Sequence, residues 1–409
     1  MQSVKKTPVS SSTTGFVLDS DGDIQITVTE LEKVFNEFGV CPVFCFNGKR
    51  SCELTSLLKD TVKQSKFKKR VLCILADRDL YPTIMISHKW TYGDLLSEID
   101  PTLKCVEICR NCELEVLNGL WDEISKKEFH ILAEDLDKTM KEFIKKVDQL
   151  KVKTDQKTND SVNDKDVLSP EFLDQMETLR KEKVYLKAHI DMTHNILKSV
   201  KGRQLDKLYY IEDKLLRNDP VMEDPLMTLA DPTIGDIFDK ARLFFICNIT
   251  KWFYGVPENF KFEYDVFMNG LEDELKKSPA MGSVVMPLKD ELLGSSCASS
   301  YLFEWVKSRF EKSAPSSLYL KDDVHVILES GLKSMNGFTL FDPMDEYPDW
   351  ESLSKEVIVF IPGSGNYSEW QSLSGLSKKI CYGCEYTLSP IEYLDGLIGM
   401  IETKKGIEI

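Results

Sequence analysis

The stretch VCPVFCF, residues 40–46, is a compact apolar run that ends at the turn pair Asn47-Gly48. Two further runs share its character, VLCIL at residues 71–75 and VIVFI at residues 357–361. Short runs without polar alternation are typical of parallel strands that are covered on both faces. We therefore predict an α/β protein in which residues 357–361 lie parallel to residues 40–46 in one sheet, although more than 300 residues separate them.

Segments next to these runs extend the α/β pattern toward both ends of the chain. Residues 16–46 predict a strand, a loop, a short helix and a strand, and a helix is expected over residues 51–63. Near the other end, GSGNYSEW turns into a helix and residues 379–382 predict a short strand. Ser389-Pro390 opens the last helix, because Ser caps free N–H groups and Pro suits the first helical position.

The middle of the chain predicts a long helical hairpin. Its first helix has an apolar seam of period 3.5, as in helix–helix pairing, formed by Phe129, Leu132, Leu136, Thr139, Phe143, Val147 and Leu150. The polar stretch at residues 151–166 is expected to interrupt this helix as the hairpin tip. A second helix should begin at Ser169-Pro170, with an apolar face of Leu173, Met176, Leu179, Leu186, Ile190, Leu197 and Val200.

These patterns predict a parallel-sheet domain interrupted by a large, mostly helical insertion. Further helices are expected at residues 233–254, 266–277 and 301–312. The predicted organisation is a disordered tail at 1–15, a first part of the α/β domain at 16–70, a hairpin domain at 71–232, a second helical domain at 233–350, and a return segment of the α/β domain at 351–409.

Composition excludes several classes of function. The net charge of −15 argues against nucleic acid as the main partner, because neutralising phosphates requires clustered Lys and Arg. No stretch approaches the roughly 20 consecutive apolar residues of a membrane span, and the N-terminal residues lack the apolar core of an export signal. The eleven cysteines are therefore expected to be reduced thiols in a cytosolic protein.

The segment DSDGD at residues 19–23 imitates a calcium loop. Its acids and Glu30 occupy the ligand positions of an EF-hand. Ile24 stands where the sharp turn of that loop needs Gly, and a β-branched residue resists this geometry. We expect a solvated loop without calcium.

Two CxxC pairs have zinc-like spacing, Cys109 with Cys112 and Cys381 with Cys384, and Cys105 lies near the first. The two pairs lie far apart in unlike contexts, and neither has a His pair beside it. Structural thiols are the expected interpretation, with no metal site.

No catalytic constellation is visible in the sequence. HExxH and GxSxG motifs are absent, and His130, His189 and His194 are expected on helix surfaces. We predict that the protein is not an enzyme and needs no cofactor.

The turn after residues 357–361 allows a competing interpretation. Gly363 and Gly365 precede a helix, and a helix N-terminus after glycines is an anion site. Ser368 replaces the third glycine of a dinucleotide motif, and no Walker lysine follows. A tight strand-to-helix turn explains the glycines equally well, so a nucleotide-binding protein or enzyme stays as an alternative.

One ordered set of motifs along the chain comprises Asp77-Arg78, Trp90-Thr91-Tyr92, KGRQLDK at residues 201–207 with Arg203 and Asp206, Gly363 to Tyr367 with Gly365 and Asn366, Tyr382-Gly383-Cys384, and Ser389-Pro390. This set resembles the Sec/Munc (SM) family of SNARE-binding regulators of membrane fusion. Gly-Asn-Tyr together with Tyr-Gly-Cys looks most like the ER–Golgi, Sly-type branch. The resemblance begins within the family's second domain, so the syntaxin-peptide binding of the family's N-terminal domain is not expected here.

The resemblance implies syntaxin-type and other SNARE proteins as partners, in ER–Golgi vesicle docking and fusion. It implies a cytoplasmic location, peripheral to ER and Golgi membranes. A vacuolar or plasma-membrane member of the family is the alternative. The hairpin resembles the family's template for SNARE helices, and the expected contacts are Pro170, Leu173, Met176 and Leu179. The apolar seam of the hairpin could instead be buried between its own two helices.

Overall fold

The chain divides into two compact units. The computed structural model describes residues 5–7, 15–18, 20, 22–64, 66–99, 124–160, 170–222, 225–250, 319–331, 337–346, 349–376 and 379–394. The sheet unit comprises residues 1–88 and 203–409, and the hairpin unit comprises residues 89–202.

A seven-stranded, mostly parallel sheet is built by the described residues of the sheet unit. Its strands are β1 (Lys5–Thr7), β2 (Gly15–Val17), β3 (Val40–Asn47), β4 (Lys69–Ala76), β5 (Thr339–Phe341), β6 (Glu356–Gly365) and β7 (Lys379–Thr387). The order is β1-β2-β7-β6-β4-β3-β5, with β1 and β5 antiparallel to their neighbours. Parallel pairing of Val43 with Leu72, and of Leu72 with Val357, confirms that residues 40–46 and 357–361 share one sheet.

Helices cover both faces of the sheet. Among the described residues of the sheet unit, the helices are α1 (Ile24–Phe38), α2 (Lys49–Lys63), α3 (Thr83–Ile86), α7 (Leu205–Leu216), α8 (Pro225–Ala230), α9 (Ile237–Ile249), α10 (Leu320–Ser330), α11 (Trp350–Leu353) and α12 (Tyr367–Ser374), with a 3₁₀ turn at Arg78–Leu80. Cys73 and Leu75 of β4 pack in the core that contains α1 and α2. Leu72 and Ile74 point to the opposite core, which contains α10 and α12. The continuous apolar runs were therefore correctly interpreted as doubly covered strands.

The hairpin unit contains α4 (Tyr92–Ile99), α5 (Phe129–Asp160) and most of α6 (Pro170–Arg203). The predicted seam of α5 is confirmed, since five of its members are buried and Thr139 and Val147 are partly buried. The expected interruption from residue 151 is wrong, because α5 continues through Asp160. Residues 151–160 contain neither Gly nor Pro, so nothing in their backbone chemistry ends the helix.

Several predicted boundaries in the sheet unit also change. The strand β1 lies inside the predicted disordered tail, and α1 spans 15 residues and is not short. Gly363 and Gly365 belong to β6, and β7 continues to Thr387 because Gly365 pairs with it. The helix expected from residue 233 begins at Ile237.

Other predictions fall partly or wholly beyond the described part of the chain. The helices expected at residues 266–277 and 301–312 lie outside the described residues, as do residues 251–254. The domain boundary expected at residue 71 separates β3 from its partner β4. The finer partition at residues 233 and 351 stays a prediction.

Candidate functional site

The first turns of α6 contain the residues that are predicted from the sequence to bind a partner. Pro170 is the first residue of this helix, as predicted, and Ser169 lies outside the described residues. Leu173 is 51% exposed and Met176 is 50% exposed. Leu179 is partly buried. The start of α6 therefore presents two large apolar side chains to solvent, as expected for a free contact surface.

Farther along α6 a different face is buried. Tyr185, Leu186, His189, Met192, Ile196 and Val200 are the buried members of this helix. Of the predicted apolar face, Leu186 and Val200 are buried, whereas Ile190 and Leu197 are each 37% exposed. They lie beside the buried face and not within it, since the aromatic and His side chains at 185 and 189 take the central positions.

His189 was expected on the surface and is fully buried. Its Nδ1 lies 2.8 Å from the hydroxyl of Tyr92, and the Tyr185 ring meets it edge-on at 4.3 Å between centroids. Burial lowers the pKa of His189 to about 4. A neutral imidazole therefore fills this position. His130 and His194 are exposed, as predicted.

Trp90 and Tyr92, from the Trp-Thr-Tyr motif, have structural roles in the hairpin unit. The indole of Trp90 packs edge-on against Phe129, with 6.4 Å between centroids. The backbone of Trp90 accepts a hydrogen bond from Phe129, and that of Tyr92 donates to Lys127. The motif fastens the start of α4 to the start of α5.

Asp77 caps a helix in the sheet unit. Its carboxylate accepts hydrogen bonds from the backbone N–H groups of Arg50 and Ser51, at 2.9 and 2.8 Å, in the first turn of α2. The capping distances are typical of charge-assisted bonds at a helix N-terminus. A side chain at Gly48 would overlap Asp77, and Gly48 has φ +110°, a backbone region that favours glycine.

Arg78 lies at the centre of a buried network. Its guanidinium forms a bidentate pair with Glu369 of α12 and donates to the carbonyl of Ser364 at 2.6 Å. The hydroxyl of Tyr382 donates to the same Glu369 carboxylate at 2.5 Å. Burial acts to lower the pKa of Arg78, but Glu369 raises it more, so the guanidinium stays charged.

Packing accounts for the glycine turn. A Cβ at Gly365 would overlap the side chains of Tyr382 and Cys384. Asn366 caps α12 by accepting the N–H of Glu369 at 2.8 Å, and its amide donates to the Ile84 carbonyl at 2.9 Å. Gly363 has φ +123°. The strand-to-helix interpretation of these glycines therefore has a specific structural basis.

The remaining closing-motif residues complete this packing. A Cβ at Gly383 would overlap the ring of Phe16, so β7 and β2 require glycine there. The ring of Tyr367 packs against Trp370, with 5.4 Å between centroids. Pro390 begins a helical turn, as predicted, and Ser389 caps it through reciprocal hydrogen bonds with Glu392.

Arg203 belongs to a second buried network in the sheet unit. Its guanidinium donates to Asp239 at 2.8 Å, and its carbonyl accepts the N–H of Gly235 at 2.7 Å. The ring nitrogens of His88 lie 2.7 Å from Glu212 and 3.0 Å from Asp239. Burial opposes ionisation of Asp239, but His88 and Arg203 lower its pKa well below the usual range.

Asp206, the other charged residue of the KGRQLDK segment, is exposed in the first turn of α7. A carboxylate there is favoured by the helix dipole. This position explains the residue without a ligand.

The cysteine pair at residues 381 and 384 does not form one site. Cys384 packs in the core beside β6 and α12, whereas Cys381 packs against the core on the other face of the sheet. Three residues along a strand place two side chains on opposite faces. Burial raises the pKa of Cys384 to about 12, so its thiol stays protonated. Cys105, Cys109 and Cys112 lie outside the described residues.

The acidic loop begins a helix. Asp23 caps α1, accepting from the N–H groups of Gln25 and Ile26, and Ile24 is the first helical residue. Glu30 pairs with Lys33 on the same helix. Asp19 and Asp21 lie outside the described residues. Among the described residues, no helix is long and apolar enough to cross a membrane.

Glu369, Glu212 and Asp239 are the structural partners that sequence reasoning missed. Each pairs with a residue more than 30 positions away, so no local spacing reveals the pair. One signal was available for Asp239, which stands within the apolar segment IFDKARLFFI. A charge in such a segment is buried only with a partner.

Residues 6–325 match the family model described as Sec1 family, so the chain belongs to the Sec1 family. Among curated relatives, the human Sec1 family domain-containing protein 1 is 22% identical, in a match covering 83% of this chain and 61% of that protein. The chain spans about 60% of the length of the curated relatives it matches.

Solved structures share the fold. A complex of the SM protein Vps45 with the Qa SNARE Tlg2 matches with a TM-score of 0.62 at 13% identity, covering 95% of this chain and 74% of Vps45. Sly1p in complex with an N-terminal peptide of Sed5p matches with a TM-score of 0.56 at 18% identity, covering 94% and 71%. The SM resemblance seen in the sequence is confirmed.

Proposed function

We propose that this protein binds SNARE helices on the hairpin unit and promotes SNARE assembly, and so vesicle docking and fusion, in ER–Golgi transport. It acts from the cytoplasm, peripherally on ER and Golgi membranes, through syntaxin-type and other SNARE partners. It is a binding protein and not an enzyme.

The exposed start of α6 is the observation that carries the proposal. Leu173 and Met176 are three residues apart, so they project from one side of the helix. An amphipathic partner helix reads such a surface through apolar residues at the same spacing. Burying a Leu or Met side chain contributes about 1.5–3 kcal/mol. Burial of both side chains would therefore contribute affinity for an apolar partner surface.

Similar proteins support SNAREs as the partners and ER–Golgi transport as the pathway. Vps45 is solved with a Qa SNARE and Sly1p with a peptide of Sed5p. Curated relatives in rice and fission yeast carry the name SLY1 or sly1. The Gly-Asn-Tyr and Tyr-Gly-Cys motifs resemble the same branch.

The closing motifs have structural contacts that account for their residues. Arg78, Glu369 and Tyr382 are buried and hydrogen-bonded to one another, so they are engaged in holding β6, β7 and α12 together. Gly365 is required by Tyr382 and Cys384 packed against it. These contacts favour a structural role for the turn over nucleotide binding.

A binding titration with purified full-length chain tests the proposal. Cytoplasmic helical segments of syntaxin-type and partner SNAREs from the ER–Golgi, vacuolar and plasma-membrane routes are compared, with ATP and GTP as further probes. We expect the tightest binding by the ER–Golgi set and none by the nucleotides. Tight nucleotide binding without SNARE binding would contradict the proposal, and a vacuolar or plasma-membrane preference would reassign the route.

A further inference from the structure

The outward face of α6 continues past the exposed apolar residues as a row of cations. Positions spaced alternately by three and four residues lie on one side of a helix. After Met176, the exposed residues on that side are Glu177, Arg180, Lys183, Val184, Lys187, Asp191, His194, Lys198 and Lys201. We call Arg180, Lys183, Lys187, Lys198 and Lys201 the basic stripe.

This stripe is unusual in an acidic protein. Five cations share this face with two carboxylates, Glu177 and Asp191, in a chain whose net charge is −15. Within the described part of the chain, no ion pair involves a member of the stripe. Neighbouring cations on other sides of the hairpin do have partners, such as Lys146 with Glu182 at 2.7 Å and Lys181 with Glu177 at 4.0 Å. The positive charge of the stripe is therefore not neutralised by ion pairs with the described residues.

The geometry of this face fits a second helix better than a lipid surface. Its exposed apolar members, Leu173, Met176 and Val184, form a narrow seam and not a broad apolar face. A helix that lies on a membrane needs a wide apolar face to bury. A narrow seam flanked by charges is the arrangement by which paired helices select a partner.

The length of the stripe indicates the length of the partner. From Leu173 to Lys201 the helix rises about 40 Å, at 1.5 Å per residue. About four heptads of a partner helix would cover this distance. The charge of the stripe requires that such a helix carry Asp and Glu beside its apolar seam.

We propose that the basic stripe determines partner specificity, by pairing with carboxylates of an acidic amphipathic helix whose apolar residues sit on Leu173 and Met176. This inference rests on the proposed function, because it concerns the same face of α6. It adds that selection is by charge, along the whole helix, while the apolar contacts supply affinity that is less selective.

Two synthetic peptides of about four heptads test the proposal on the full-length chain. Both have Leu at the a and d positions; one has Glu at e and g, and its twin has Lys there. The stripe variant is Lys183→Glu with Lys187→Glu. The control is Lys63→Glu with Lys66→Glu, which makes the same change in net charge at exposed positions of the sheet unit.

Wild type is expected to bind the acidic peptide at least about tenfold more tightly than the basic twin, with a steep loss as salt is raised. The stripe variant should lose about tenfold for the acidic peptide and gain for the basic twin, and the control variant should bind like wild type. Circular dichroism checks that all variants are folded.

Equal binding of both peptides by wild type would overturn the proposal, as would an unchanged acidic preference in the stripe variant. Stripe-dependent binding to phosphatidylserine vesicles without acidic-peptide binding would overturn it in favour of a membrane. If the protein discriminates between the two peptides but binds no SNARE helix, the proposed function is wrong and the proposal for the basic stripe is supported. If SNARE helices bind wild type and the stripe variant equally well, the proposal for the basic stripe is wrong and the proposed function is supported.

Discussion

Arg78 and Glu369 come from distant parts of the sequence and form one buried ion pair in the sheet unit. The pair ties the segment after β4 to α12, and Tyr382 adds the neighbouring strand β7. Removing one member strands the other charge in a low-dielectric site, which is costly. The SM motif residues in this part of the chain therefore have a physical reason to occur together.

The Arg78→Met variant is expected to lower the free energy of unfolding by about 3–5 kcal/mol, because Glu369 is left without its cation. Urea denaturation measures the change. Pairing Arg78→Met with Glu369→Leu should recover much of the loss, since both charges are then absent. The matched control is Arg217→Met, which breaks the exposed pair with Asp213 and should scarcely shift the midpoint. Equal effects at both sites would contradict the buried-network interpretation.

His189 gives the hairpin unit a predictable response to acid. Its pKa is about 4 in the folded chain and about 6.5 when unfolded. Between these values the unfolded chain binds a proton that the folded chain does not, so stability decreases as pH falls from about 6.5 toward 4. The full loss is about 3 kcal/mol.

Urea unfolding of wild type and a His189→Asn variant at pH 7 and pH 5 measures this effect. The variant is expected to be less stable at pH 7 but to lose less between the two pH values. The exposed His194→Asn variant should follow the wild-type profile. An identical pH dependence in wild type and His189→Asn would show that His189 is not buried as a neutral ring.

At the scale of elements, two glycines with opposite surroundings make a matched pair. Gly365→Ala should cost about 1–3 kcal/mol, because the new methyl group would overlap Tyr382 and Cys384. Gly202→Ala should stabilise by up to about 1 kcal/mol, since Gly202 lies in α6 with open space around it. Thermal unfolding of the two variants gives the comparison. A stabilising Gly365→Ala would refute the close approach of β6 and β7.

Elements with strong local signals were predictable, and their ends were less so. The apolar runs at residues 40–46 and 71–75 identified β3 and β4 because burial on both faces leaves no polar alternation. The end of β7 was not visible, since it depends on the pairing of Gly365 with Thr387 across the sheet. In α5 the polar composition after residue 150 suggested a tip, but composition does not end a helix without a breaker.

The candidate site was predictable in part, because the start of its helix also has a strong local signal in the sequence. Pro170 marks the start of α6 in the sequence, and the exposure of Leu173 and Met176 agrees with the expectation for a free surface. Periodicity grouped Ile190 and Leu197 with Leu186 and Val200, but it does not show which of two adjacent faces of the helix is buried. The packed rings of Tyr185 and His189 show which face of the helix is buried.

The two compact units of the chain differ in how they use their charged and apolar side chains. The sheet unit uses its buried charges to fix its own strands and helices. The hairpin unit leaves apolar and basic side chains of α6 uncovered. Under the proposed function, partner recognition lies on the hairpin unit, whereas the family motifs of the sheet unit contribute to stability.

The most direct test of this claim is SNARE-helix binding by Leu173→Lys and Met176→Lys variants, measured by titration calorimetry. Each should bind at least about tenfold more weakly than wild type, because about 1.4 kcal/mol of lost contact is one decade. Folding should hardly change at these exposed positions. Leu136→Lys on the buried seam of α5 is the control, and it should destabilise the fold itself. If the folded Leu173→Lys and Met176→Lys variants bind SNARE helices as tightly as wild type, α6 is not the docking surface.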